Sequence, residues 1–295
     1  MPERDHYIPG VPCWVDTSQP DPAAVLEFYS GIFGWEFESA MPADVPGEYF
    51  MARKGGGAVA AVGSIPEGAP QMAMWNTYVA VASADETAAK VRDAGGTVAM
   101  EPFDVMSSGR MVVCMDPEGA AFFAWQANEH FGAGIVNEHG AVNFNGLHTR
   151  DVEGAKAFYG AVFGWTTLDL GAGEMWTLPG YGDDLERDSP GLREQMAEMG
   201  GPVGFEDVVA SINPIPGDQP DTPPHWSVTF SVADTDATAA KATELGGKVI
   251  IPPFDAPWSR LAIISDPQGA TFIGSQFVPE NKDLGSQADA AVSGS

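Results

Sequence analysis

The chain carries the same sequence pattern twice. The segment Asp21 to Trp35 (DPAAVLEFYSGIFGW) returns 130 positions later as Asp151 to Trp165 (DVEGAKAFYGAVFGW). A second shared stretch runs from Glu101-Pro102-Phe103-Asp104 to the turn Asp116-Pro117-Glu118-Gly119-Ala120. Its echo runs from Pro252-Pro253-Phe254-Asp255 to Asp266-Pro267-Gln268-Gly269-Ala270. An internal repeat constrains architecture before any element is assigned, because each copy must build the same unit. Two domains of one kind are therefore expected, and function is to be sought in how they differ.

Each copy divides again. In the first, Val11–Thr17 reads as a strand, and Asp21 caps a helix whose apolar positions Val25, Phe28, Tyr29, Ile32 and Phe33 recur at helical spacing and stop at Gly34. Strands are expected at 35–38, 49–53 and 58–64, giving β-α-β-β-β. The pattern restarts with a strand at 75–81, a helix at 85–94 ending on Gly95-Gly96, and strands at 97–100, 111–115 and 121–126. The second copy repeats both halves over 142–212 and 226–277. Its offset grows to 151 residues, so about twenty extra residues lie mostly between Tyr181 and Asp221. They include a helix-like stretch, Leu185–Met199, read as a lid or as an elaborated contact surface.

Composition excludes several partners. With 14 basic against 41 acidic residues the formal net charge is −27. Lys and Arg are the residues that exchange with counterions on nucleic acid, so no nucleic-acid partner is expected. An anionic membrane surface is excluded on the same ground. Cys13 and Cys114 both adjoin apolar runs and read as small core residues. The N-terminus lacks a signal-like pattern and no apolar stretch approaches membrane length, so a cytoplasmic protein is expected. The segment 279–295 turns polar and reads as a disordered tail.

A strand, then Asp-x-x-x-Ala-x-x-Phe-Tyr, then Phe-Gly-Trp, and at the far end Asp-Pro-x-Gly, resembles the vicinal-oxygen-chelate superfamily of glyoxalases, bleomycin-resistance proteins and extradiol dioxygenases. The likeness covers 9–128 (modules 9–65 and 73–128) and 141–278, joined by a linker at 129–140. The tandem form resembles an actinobacterial group that includes a mycobacterial antigen and proteins labelled hydroxylases. The resemblance implies an α+β chain of four βαβββ modules, forming two tandem domains whose curled mixed sheets surround two clefts.

The resemblance also implies where metal ligands would stand: about seven residues before the helix-capping Asp and about seven after the turn Asp. Those positions are Trp14 and Phe144, and Phe123 and Ile273. The second modules align Asn76 and Ser227, and the fourth position falls near 62–64 or 209–211. Aromatic and aliphatic side chains donate no electron pair to a divalent ion, and Asn or Ser alone holds one weakly. No metal and no other cofactor is expected.

Residues two apart on a strand share a face. The first cleft is therefore expected to contain Trp14, Asp16, Asn76, Tyr78, Phe123 and Trp125, an aromatic box that suits a flat ligand or a filled core. The second is expected to contain Phe144, Gly146, His148, His225, Ser227, Thr229, Ile273 and Ser275, smaller on average and so roomier. Asp16 and His148 are the acid–base candidates. Asp104 with Arg110 and Asp255 with Arg260 read as structural pairs, and His130 and His139 as linker residues.

Two functions remain open. One is a metal-free protein that binds an apolar or aromatic metabolite, as in antibiotic sequestration. The other is a metal-independent lyase, isomerase, cyclase or hydroxylase of secondary metabolism using Asp16 or His148. The expected partner is a small molecule, and a homodimer is left open.

Overall fold

A computed structural model describes residues 3–42, 45–65, 67–68, 71–171 and 173–284. The first copy contains β1 (Pro12–Gln19), α1 (Leu26–Phe33), β2 (Glu36–Ser39), β3 (Tyr49–Lys54) and β4 (Gly57–Ser64). It continues with β5 (Met74–Ala80), α2 (Ala84–Asp93), β6 (Thr97–Val105), β7 (Gly109–Met115) and β8 (Ala121–Ala127). The second copy follows with β9 (Val142–Thr149), α3 (Val152–Phe163), β10 (Thr166–Asp169) and β11 (Glu174–Thr177). After α4 (Tyr181–Asp188) and α5 (Leu192–Glu198) come β12 (Val208–Pro214), β13 (His225–Ser231), α6 (Thr235–Glu244), β14 (Lys248–Ala256), β15 (Ser259–Ser265) and β16 (Thr271–Phe277).

The eight strands of each copy form one sheet, in the orders β2-β3-β4-β1-β5-β8-β7-β6 and β10-β11-β12-β9-β13-β16-β15-β14. The two modules of a copy join through an antiparallel pair, β1 with β5 and β9 with β13. The α+β architecture of two tandem domains holds as expected. Asp151 caps α3 through Gly154 N–H, whereas Asp21 opens a short 3-10 turn before α1. Gly34 and Gly164 end the two helices in the left-handed region, at φ 71° and 75°, where a side chain would be strained.

Three details depart from the sequence expectation, the first being that β6, expected over 97–100, runs on to Val105. The single helix expected over 185–199 is two, α4 and α5, because Pro190 lacks the amide that would continue the ladder and Gly191 turns at φ 87°. The first residues of the expected tail are ordered: Pro279–Asn281 forms a helical turn, and Asn281 Nδ2 donates to Ser259 O at 3.1 Å. The rest of that segment, 285–295, lies outside the described residues.

The apolar core is not divided by copy. Phe28 and Phe33 of α1 pack against Phe230 and Phe272 of the second sheet. Phe158 and Tyr159 of α3 pack reciprocally against Phe122 of the first. The repeated motifs meet across this seam. Tyr29 Oη donates to Asp266 Oδ2 at 2.8 Å, and Tyr159 Oη donates to Asp116 Oδ2 at 3.1 Å. The other oxygen of each turn carboxylate accepts amides of its own turn. Trp35 Nε1 donates to Gly140 O, and Trp165 Nε1 to Gly10 O, at 2.6 and 2.7 Å. Helix α1 thus packs on the second copy's sheet and α3 on the first copy's.

Because each half completes the other's core, equilibrium unfolding is expected to be a single cooperative transition. Tyr29→Phe removes one donor from a fully buried carboxylate while keeping the ring. It should lower stability by about 1.5–3 kcal/mol, the range for hydrogen bonds to charged groups. Urea denaturation checks this, and two separated transitions would contradict the shared core.

Candidate functional site

The first concavity is filled. Asp16 on β1 is 5% exposed, and its carboxylate accepts three neutral donors. These are Asn76 Nδ2 at 2.8 Å, Tyr78 Oη at 2.7 Å and Tyr49 Oη at 3.0 Å. Burial pushes the Asp16 carboxyl above its ordinary range, and the three donors oppose that rise. Trp14 Nε1 donates to Tyr49 Oη at 3.3 Å, while Tyr78 stacks on Phe123 with ring centres 4.6 Å apart. His130 from the linker closes the end of the box. Its ring meets Trp14 edge-on at 4.5 Å, and its carbonyl accepts Trp125 Nε1 at 2.7 Å. Burial lowers the His130 pKa to about 4. Every expected member of the first cleft is therefore present, but they pack on one another.

The second concavity differs at the matching positions. The strand registers align Trp14 with Phe144, Asp16 with Gly146, Asn76 with Ser227, Tyr78 with Thr229, Phe123 with Ile273 and Trp125 with Ser275. Continuing the pairing of β3 and β11 puts Gly173 where Tyr49 stands. Almost every exchange removes volume, so Phe144, Ser227, Thr229 and Ile273 stay only half-buried.

Ser211, Asn213 and Ser227 converge above Gly146. A Cβ there would lie 2.5 Å from Ser211 Oγ, 2.7 Å from Asn213 Nδ2 and 3.1 Å from Ser227 Oγ, so the absence of a side chain at Gly146 lets these three groups approach the strand as they do. His148 joins the cluster through Nε2, 3.1 Å from Ser227 Oγ, and Ser227 Oγ also donates to Gly146 O at 3.2 Å. His148 and His225 face each other across β9 and β13 with ring centres 4.4 Å apart and planes inclined by 4°. Burial, then the neighbouring His225, lowers the His148 pKa to about 4, which leaves it neutral at pH 7. A cavity of about 110 Å³ opens beside the pair, lined by Ser227, Ile263, Thr271 and Ile273 among others.

The inserted segment bounds the opposite end of this sheet. It leaves β11 at the end where β9 begins, and Gly200 approaches Trp258 at the tip of the β14–β15 hairpin. Tyr181 and Leu185 of α4 are buried in the core, whereas α5 buries no residue. A larger depression of about 380 Å³ lies between α1 and the end of α6, rimmed by Glu27 and Glu244 and outside both concavities.

The positions at which the resemblance implies metal ligands hold poor donors for a divalent ion in both concavities. The superfamily's ligand positions hold Trp14, Asn76 and Phe123 in one and Phe144, Ser227 and Ile273 in the other. The carboxylate within reach, Asp16, is already saturated by three donors. Among the described residues the one group of three or more clustered metal-binding side chains is His6, Asp184 and Asp188, outside both concavities.

The remaining candidates are structural. Arg110 bridges Asp85 and Asp104, and Arg260 bridges Asp236 and Asp255 in the same way. Cys13 and Cys114 are free and buried. Reading strands by alternation missed Tyr49 and His130, since each reaches the cleft from an element remote in sequence. No helix among the described residues is long and apolar enough to cross a membrane.

Comparison with known proteins agrees with this architecture. The family model for the glyoxalase/bleomycin resistance protein/dioxygenase superfamily matches residues 14–122 and 141–273. CFP32 of Mycobacterium tuberculosis, provisionally named a glyoxylase, is 42% identical over 92% of this chain and 97% of its own length. The anthracycline biosynthesis protein DnrV of Streptomyces peucetius is 35% identical over 90% of this chain and 93% of its own. Among solved structures, the Mn(II)-bound glyoxalase of Novosphingobium aromaticivorans superposes with TM-score 0.57 at 15% identity, covering 91% of this chain and 82% of that one. The 2,3-dioxygenase LapB of Pseudomonas sp. KL28 does so with TM-score 0.57 at 12% identity, covering 92% and 93%. At those identities the structural likeness concerns the fold alone. The matched residues, the tandem repeat and the two curled sheets place this chain in the glyoxalase/bleomycin resistance protein/dioxygenase superfamily.

Proposed function

We propose that the chain binds a flat, largely apolar or aromatic metabolite in its second concavity, without a chelated metal, while the first serves as a packed support. The large-to-small exchange at matched inward positions carries this: Asp16, Asn76, Tyr78 and Trp125 are replaced by Gly146, Ser227, Thr229 and Ser275. Phe144 and Ile273 offer apolar surface, while Ser227, Thr229 and neutral His148 offer hydrogen bonds without a fixed charge. The relation to an anthracycline biosynthesis protein favours a polycyclic aromatic ligand. The acidic surface adds long-range attraction if that ligand carries an amine.

Anthraquinone-type probes are expected to bind and to be followed by quenching of tryptophan fluorescence. Thr229→Tyr, which installs the first domain's residue, should weaken binding by at least about tenfold, a loss of roughly 1.4 kcal/mol. Ser18→Ala in the filled concavity should leave it unchanged. Equal affinity in the Thr229→Tyr protein would place the ligand elsewhere.

A second reading, metal-independent catalysis in the same concavity, is favoured by the contact of His148 with Ser227 beside the cavity. Asp16 is a weaker candidate, since its carboxylate is enclosed and saturated. If the bound metabolite is turned over, His148→Ala should lower kcat by about 100-fold or more, within the range for a general acid or base. Unchanged turnover removes His148 from the mechanism.

Neutral His148 also sets a pH dependence. Its pKa falls from 6.5 to about 4 on folding, so the unfolded chain takes up the proton first as pH drops. The stability it contributes is complete above pH 6.5 and is lost progressively towards pH 4. His130 acts in the same direction. Urea midpoints measured across this window should fall with pH, and His148→Asn should flatten part of that slope.

A further inference from the structure

The N-terminal arm meets the first inserted helix at a group of side chains that neither concavity uses. Asp184 and Asp188 stand four residues apart on α4 and so share a face. His6 approaches them from the arm, with Nε2 3.5 Å from Asp184 Oδ2. One ligand atom from each of the three lies within 4.8 Å of the other two.

Two observations distinguish this group from an ordinary acidic patch. Asp184 is 2% exposed, yet its Oδ2, the oxygen turned towards His6, has no hydrogen-bond partner. A buried carboxylate oxygen without a donor is costly, and it needs a proton, a water or a cation. The second observation concerns the far side of the imidazole. His6 Nδ1 is 2.7 Å from Asp5 Oδ1, a contact in which the ring nitrogen donates to the carboxylate, and Nε2 is turned towards Asp184 Oδ2. A carboxylate behind a histidine is the arrangement that orients metal-binding imidazoles.

The geometry points to a divalent-cation site formed by His6 Nε2, Asp184 Oδ2 and an Asp188 carboxylate oxygen, tying the N-terminal arm to the inserted helix. Bonds of about 2.0–2.2 Å to a tetrahedral ion separate neighbouring ligand atoms by roughly 3.4 Å, close to the His6–Asp184 spacing. One imidazole and two carboxylates suit Zn²⁺, Co²⁺ or Mn²⁺, and the two carboxylates balance the ion's charge. Asp188 and His6 are exposed enough for water to complete the coordination. Arg187 holds the other oxygen of Asp184 at 2.5 Å and leaves Oδ2 to the ion.

The ion would act as a staple. The same arm donates Arg4 N–H to Gly134 O and Tyr7 Oη to Ala133 O in the linker, at 2.8 Å each, and Arg4 Nη2 to Tyr181 Oη at 2.7 Å. Arm, linker and insertion would thus be locked together away from both concavities, independently of any metabolite bound there.

The test is calorimetric titration of the chelator-treated full-length protein with Zn²⁺ or Co²⁺, with thermal unfolding in parallel. A single ion per chain and a raised Tm are expected. His6→Ala and Asp188→Asn, both at exposed positions, should each weaken binding at least about tenfold while leaving the Tm of the metal-free protein unchanged. Asp5→Asn should cost about 10–100-fold, as for other residues that orient a ligand. Replacing both His148 and His225 by Ala should leave the ion in place. Absence of binding at millimolar Co²⁺, or affinity retained in both His6→Ala and Asp188→Asn, would overturn the assignment.

Discussion

The buried turn carboxylates hold the molecule together. Asp266 accepts three amides of its own turn, then Tyr29 Oη and Gln19 Nε2 from the other copy. Asp116 repeats the arrangement with Tyr159. A carboxylate out of water is tolerated only with its lone pairs occupied, so each domain is complete only when the other's helix is docked. That mutual requirement ties the two copies together at α1 and α3 and leaves the inward residues of β1, β5, β9 and β13 free to diverge.

Divergence took the form of volume. One βαβββ pair encloses Asp16 beneath Tyr49, Tyr78 and Asn76, with Trp14, Trp125 and His130 closing the end. Its counterpart keeps the backbone and removes the bulk, exposing hydroxyls and two stacked imidazoles. Close packing fills the first concavity and leaves the second with the smaller side chains and the room beside them. His148 is nonetheless held neutral by its own partial burial and by the neighbouring His225.

Much of this was legible in the residues. The apolar spacing of Phe28, Tyr29, Ile32 and Phe33 marks α1, and strict alternation puts Trp14 with Asp16 and Ser227 with Thr229 on the inward faces. The contrast between the two clefts is visible as a list of side-chain sizes. Tyr49 was read only as a strand residue and His130 only as a linker residue, because nothing in local periodicity says that β3 or a linker will reach β1. The expected single inserted helix underestimated Ser189-Pro190-Gly191, where a missing amide and a left-handed glycine outweigh helical spacing on either side.

The sequence by itself determined the repeat, the four modules, the order of their shared elements and the inward side chains of the central strands β1, β5, β9 and β13. Those follow from local rules of period, capping and turn chemistry that act within a few residues. Only the tertiary structure decided that α1 packs on the second sheet and α3 on the first, that Asp16 is enclosed, and that His148 meets His225. Those outcomes rest on contacts between residues far apart in the chain, such as Tyr29 with Asp266, which are selected by which buried polar groups find partners and which apolar faces fit.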